Sequence, residues 1–137
     1  MSGDDLLPPR VLVVEDDPDH RRALAPTLHL GGYTTSECGS GEDALEQLGT
    51  NIAKPMDIDA VVLDIRLPGI DGVEVLTQMR AQMATRHVPV VLISAHTSKP
   101  NAVQRDEYAR FVPKPFHPDQ LLGQLSELLP DPPRNDR

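Results

Sequence analysis

Glu15, Asp16, Asp64, Ser94 and Lys114 each follow a short run with the character of a β-strand, and their side chains share one chemistry. Three carboxylates brought close together repel, which raises their pKa values unless a cation relieves them. Mg²⁺ suits such a set. It prefers octahedral oxygen ligands and keeps several waters, so one or two carboxylates, a backbone carbonyl and a phosphate oxygen complete its shell. With the repulsion relieved, Asp64 can attack phosphorus as a nucleophile. Lys114 offers a compact positive charge to one phosphoryl oxygen, and the Ser94 hydroxyl a directional hydrogen bond to another. The residue types therefore point to acceptance of a phosphoryl group by Asp64.

That chemistry requires the five residues to meet, and the chain pattern says how. Val11-Leu12-Val13-Val14, Val61-Val62-Leu63-Asp64 and Val88-Pro89-Val90-Val91-Leu92-Ile93 are continuous apolar runs of the kind buried on both faces of a parallel sheet. Tyr33 to Cys38 reads as a strand of modest hydrophobicity at the sheet edge, and Arg110 to Pro113 as a short last strand. Helical patterns lie between them. Asp17 and Pro18 fit an N-cap and first helical position, opening a helix that turns Leu24, Thr27 and Leu28 inward and is expected to kink at Pro26. Ser40-Gly41-Glu42-Asp43 resembles a capping box ahead of Ala44, Leu45 and Leu48, and Asp71 caps a helix turning Val73, Leu76, Met79, Arg80 and Met83 toward the sheet or its rim. Pro100 to Tyr108 has only a thin apolar stripe. The final helix, from Pro118, is the most amphipathic, with Leu121, Leu122, Leu125, Leu128 and Leu129 on one side. Five alternations of strand and helix imply right-handed crossovers and one parallel sheet covered on both faces, so the strand ends converge. Ligands collect at those ends.

Composition narrows the function. The 137 residues suit one domain, expected over 10–130, with 1–9 a disordered lead-in, 51–56 a loop and 131–137 a polar tail. A net charge of -8 argues against direct nucleic-acid binding, which needs a basic face. The absence of Trp leaves little for base stacking, and no apolar run is long enough to insert in a membrane. Cys38, the single cysteine, cannot form an internal disulfide, so a reducing cytoplasm is expected. Asp57 and Asp59 precede the third strand, and Asp59 falls roughly 16 Å from Asp64 at about 3.3 Å per residue, at the wrong end of the sheet for a metal site. His20, His29, His87, His96 and His117 show no metal-ligand spacing. Lys-Pro also occurs at Lys54-Pro55 and Lys99-Pro100, but Lys114 alone directly follows a short strand.

Val-Val-Glu-Asp-Asp, Val-Val-Leu-Asp with Leu-Pro-Gly-Ile-Asp-Gly, Ile-Ser-Ala and Lys-Pro-Phe, in that order, resemble the receiver domain of bacterial two-component response regulators. The resemblance covers the chain from Arg10 to about Leu129. It implies a flavodoxin-like fold with five parallel strands in the order 2-1-3-4-5. It further implies a phosphoryl group received on Asp64 from a histidine kinase or phosphotransfer domain, and altered binding of an unidentified downstream protein at the face of the fourth helix, fifth strand and fifth helix. Carried over by position, Asp16 is the direct metal ligand, Glu15 acts through water, and the Arg66 backbone carbonyl is the third protein ligand. Ser94 is the switch hydroxyl, Lys114 the phosphate-binding lysine and Phe111 the reorienting aromatic. Arg66 and His96 stand where the family modulates dephosphorylation, and a cis bond is expected at Lys114-Pro115. The chain departs from the pattern between Ser94 and Lys114, about two residues shorter than the resemblance implies and without the usual Gly-Ala pair.

Two other functions fit the same fold class. A flavin-binding electron carrier needs a phosphate-cradling loop of Ser, Thr and Gly after the first strand, where Glu15-Asp16-Asp17-Pro18 would repel phosphate. An adaptor that works by contact alone would have no use for the acidic set and Lys114.

Overall fold

The computed structural model describes residues 8–49, 57–95 and 98–129. The strands are β1 (Arg10–Val14), β2 (Thr34–Cys38), β3 (Ala60–Asp64), β4 (Val90–Ser94) and β5 (Ala109–Pro113). The helices are α1 (Pro18–Leu30), α2 (Gly41–Gly49), α3 (Gly72–Arg80), α4 (Asn101–Gln104) and α5 (Pro118–Leu128). All strand pairings are parallel, in the order β2-β1-β3-β4-β5. β3 is central, and all five of its residues are buried.

Alternation along the strands divides the core in two. Leu12, Val14, Val61, Leu63, Val90 and Leu92 face one side, where Ala44 of α2 and Val75, Leu76 and Met79 of α3 cover them. Val11, Val13, Ala60, Val62, Val91 and Ile93 face the other, against Leu24 and Leu28 of α1 and Leu121 and Leu125 of α5. The inner strands β1, β3 and β4, clothed on both faces, need apolar residues along most of their length, and the Val-rich runs supply them.

The helix starts follow local chemistry. Asp17 caps α1 by accepting from the amides of Asp19 and His20. Asp71 accepts from Glu74 in α3, and Ser40 Oγ accepts from the amide of Asp43 in α2. α1 runs unbroken from Pro18 to Leu30 through Pro26, which is exposed, although the proline has no amide to give the Arg22 carbonyl.

Several elements differ from expectation. β4 starts at Val90 rather than Val88, because the Val88 amide closes a turn onto Thr85 and Pro89 has no amide to give. Tyr33 stays outside β2 because its amide bonds to Leu28 at the end of α1. α3 ends at Arg80, so Met83 is 84% exposed instead of facing the sheet, and Val75 occupies the buried stripe while Val73 is half-buried. The helix expected between Pro100 and Tyr108 is a single turn that buries only Val103. Leu45, Leu48, Leu122 and Leu128 are half-buried at the core margins, and Leu129 lies just beyond α5. Asp57 and Asp59 are exposed at the amino end of the sheet, where Asp59 accepts from the Arg10 amide at 2.7 Å. The loop expected at 51–56, most of the 1–9 lead-in and the 131–137 tail lie outside the described residues.

Candidate functional site

β1, β3 and β5 deliver three ionisable side chains to one place. Lys114 Nζ donates to Asp64 Oδ2 at 2.6 Å and to Glu15 Oε1 at 3.1 Å. Glu15 and Asp64 are 2% and 4% exposed, whereas the Lys114 side chain retains 25% of its exposure. The register explains the meeting: β1 and β5 flank the β3-β4 pair, so residues at the carboxyl ends of the outer strands lean over the tip of the central one.

Each group is anchored by backbone as well. Asp64 Oδ1 accepts from the amide of Arg66 at 2.8 Å, and Glu15 Oε2 accepts from Asp17 at 3.3 Å. The Lys114 amide donates to the Ser94 carbonyl at 2.7 Å, joining the tips of β4 and β5. Ser94 is wholly buried at the end of β4. The peptide bond Lys114-Pro115 is cis, as expected. Gly72 allows the loop after β3 to fold back: a Cβ there would lie 2.6 Å from the Asp64 carbonyl oxygen and 2.8 Å from Ile65 Cα.

The electrostatics follow from two acids sharing one base. Burial raises the Glu15 pKa, the neighbouring Asp64 adds to the rise, and Lys114 opposes it. Burial alone would lower the Lys114 pKa, but its bonds to Asp64 and Glu15 outweigh that and raise it. The cluster therefore carries more acid than base. Among the described residues no three His, Cys, Asp or Glu side chains gather into a closed metal cage. Mg²⁺ does not require one, since one or two carboxylates with carbonyl, water and phosphate oxygens suffice. Two buried carboxylates facing one ammonium fit that donor chemistry.

The remaining candidates stand at varied distances from this centre. Asp16 is exposed on the turn after β1, and the Arg66 side chain is exposed on the loop after β3. Phe111 is half-buried on β5 opposite Leu92, against the core side covered by α2 and α3. His96 lies outside the described residues. A groove of about 500 Å³ opens beside Glu15 and Lys114, walled by Leu24, Ile93, Pro115 and Phe116.

Two arginines outside the site motifs hold the surroundings. Arg21 Nη1 donates to the Glu15 carbonyl oxygen at 2.7 Å. Arg80 at the far end pairs with Asp106 at 2.6 Å and donates to the carbonyls of Thr85 and Tyr108. Their signal in sequence differs: the helical stripe turns Arg80 toward the sheet rim, whereas no motif marks Arg21.

Comparison with known proteins identifies the family and the fold. The family model for the response regulator receiver domain matches residues 11–126. The C4-dicarboxylate transport transcriptional regulatory protein DctD of Pseudomonas aeruginosa is 41% identical over 122 residues, covering 88% of this chain and 25% of that protein. The response regulator MprA of a Mycobacterium species is 34% identical over 128 residues, 90% of this chain and 51% of that protein. The chain thus spans a quarter to about half of the length of these relatives. Among solved structures, a sensor protein from Polaromonas has a TM-score of 0.76 at 31% identity, covering 88% of this chain and 94% of that one. The response regulator TrrA of Thermotoga maritima, in complex with Mg²⁺-BeF, has a TM-score of 0.75 at 29% identity, covering 88% and 99%. With its strand order, its site at the strand tips and a family match over most of its length, the chain belongs to the response regulator receiver domains of two-component systems.

Proposed function

We propose that the protein is a phosphoacceptor switch in which Asp64 takes a phosphoryl group from the phosphohistidine of a kinase or phosphotransfer domain. The observation that carries this reading is the pairing of Lys114 Nζ with Asp64 at 2.6 Å, which puts a cation against the one carboxylate at the tip of the central strand. In the step, an Asp64 carboxylate oxygen attacks phosphorus. The new O–P bond forms as the N–P bond to the donor imidazole breaks, and the leaving nitrogen keeps the electron pair. Bound Mg²⁺ would offset the repulsion between carboxylate and phosphoryl oxygens. Asp16, Asp64 and the Arg66 carbonyl are the groups proposed to hold the ion, with Glu15 acting through water. Support comes from the solved relative in complex with Mg²⁺-BeF, and from the receiver domain of a Pseudomonas aeruginosa sensor histidine kinase with magnesium in its active-site cleft.

The chain's own residues do the rest. Lys114 holds a phosphoryl oxygen, and the Ser94 hydroxyl binds another once the charge at Asp64 has changed. Phe111 then repacks, and the face of α4, β5 and α5 shifts between two states read by a downstream protein. The side chains of Arg66 and His96 tune hydrolysis of the acyl phosphate. The groove beside Lys114, bounded by α1 and the turn before α5, gives the donor its approach.

Incubation with acetyl phosphate and Mg²⁺, followed by mass spectrometry of the native protein, tests the reading. Wild type should gain one phosphoryl group and Asp64→Asn none. No gain in wild type would overturn the proposal and favour an adaptor that works by contact alone.

A further inference from the structure

We propose that Arg21 is a positioning residue that aims the acid pair, and so sets how tightly the cradle holds Mg²⁺; the inference rests on the phosphoacceptor reading above. Arg21 lies in the first turn of α1 and joins three elements. Its amide donates to the Asp17 carbonyl at 2.9 Å. Its Nη1 donates to the Glu15 carbonyl oxygen at 2.7 Å, and its Nε stands 3.4 Å from Glu37 Oε1 on β2. The side chain is 20% exposed, with Nη1 against Gly39, where an added Cβ would come within 3.1 Å.

These contacts hold the two peptide groups that flank the Glu15 Cα. The Glu15 amide is held by the Cys38 carbonyl at 3.2 Å, and the Glu15 carbonyl by Arg21. Because the peptide is planar, holding that carbonyl also places the Asp16 amide and Cα, the point from which the Asp16 side chain leaves the backbone. The pair then diverges: Glu15 turns inward to Lys114, while Asp16 faces solvent. Groups that orient metal ligands without touching the metal typically change affinity by 10- to 100-fold when removed. Arginine suits the place because its planar fork can bond a carbonyl and a carboxylate together, which a lysine ammonium does less well.

Charge alone makes the opposite prediction. Arg21 is a cation near the cradle, so its removal would strengthen Mg²⁺ binding if electrostatics were its whole role. Orientation predicts weaker binding.

Calorimetric titration of the full chain with MgCl₂ decides between them, for wild type, Arg21→Ala and Arg21→Lys. The dissociation constant should rise about tenfold in Arg21→Ala and by less in Arg21→Lys. The phosphorylation rate with acetyl phosphate should return to within about twofold of wild type once Mg²⁺ saturates, since positioning acts through the ion's affinity. Glu37→Gln, which leaves the Glu15 bond in place, should change the constant by less than about threefold. If Arg21→Ala does not fold, Arg21→Lys and Arg21→Gln carry the same test. An unchanged or smaller dissociation constant in the folded variants overturns the inference. Failure of wild type itself to bind Mg²⁺ or accept a phosphoryl group overturns the phosphoacceptor reading instead.

Discussion

Lys114→Met separates the two jobs of the lysine, because it keeps an apolar stem while removing the ammonium that bonds Asp64 and Glu15. Stripping one partner from a buried ion pair costs roughly 3–5 kcal/mol. Here the lysine side chain is 25% exposed, so water screens the site, and the expected loss is about 2 kcal/mol. With a urea m-value of about 1.5 kcal/mol/M, the unfolding midpoint should fall by about 1.3 M at neutral pH. The penalty depends on pH with a definite sign. The Glu15 pKa is already raised above 4.5 by burial and by Asp64, so without Lys114 it must rise further. Lowering the pH from neutrality then protonates Glu15 in the folded variant before the unfolded chain takes up that proton, and the gap between variant and wild type narrows. At the alkaline end, wild type should lose the contribution of the shared bonds as pH climbs above 10.5 and through the raised Lys114 value, whereas the variant has none to lose. Mg²⁺ should restore part of the variant's stability by binding only the folded state. Urea titrations monitored by far-ultraviolet circular dichroism, with and without Mg²⁺, supply every quantity. A neutral-pH midpoint within about 0.3 M of wild type, or a gap that widens on acidification, would refute the reasoning.

Other perturbations probe the frame around the site. Gly72→Ala should destabilise by about 2 kcal/mol or more, measured by the same titration, because the added methyl meets backbone atoms of Asp64 and Ile65 that cannot give way cheaply. Arg80→Ala should cost about 2 kcal/mol, since Asp106 and the Thr85 and Tyr108 carbonyls lose a donor together; a thermal melt unchanged from wild type would contradict the assignment. Cys38, buried and with its thiol pushed up to about 11, should resist iodoacetamide at neutral pH and react promptly once urea unfolds the chain. Above pH 9.0 the unfolded chain ionises this thiol before the folded one does, so stability should decline between that value and about 11.

Legibility from sequence tracked how much of each feature is local. The buried strands announced themselves as unbroken apolar runs, and Asp17 and Asp71 marked helix starts through short-range capping. The convergence of Glu15, Asp64 and Lys114 followed from strand alternation and strand-tip position, which is why residues up to 99 positions apart could be grouped before any contact was known. Boundaries decided by turn hydrogen bonds were harder. Val88 has the composition of a strand residue, yet its amide is taken by Thr85; Met83 fits a helical stripe that Arg80 ends one turn early. Within the site, motif position assigns metal contact chiefly to Asp16, but the local geometry buries Glu15 against Lys114 and leaves Asp16 in solvent. The helical stripe turned Arg80 toward the sheet rim, but the partners of both arginines were not legible, because their acceptors are mostly backbone carbonyls, which every residue carries alike.

The single turn of α4 bears on how such a protein could diversify. Four residues cannot sustain a helix by their own hydrogen bonds, so the shape of this segment is imposed by β5 and by the Arg80-Asp106 pair beneath it. Substitutions at exposed positions such as Lys99, Asn101 and Gln104 can therefore change the surface of this segment while leaving the strand tips untouched. On the proposed function, partner choice and phosphoryl chemistry are then free to evolve on separate schedules within one small sheet.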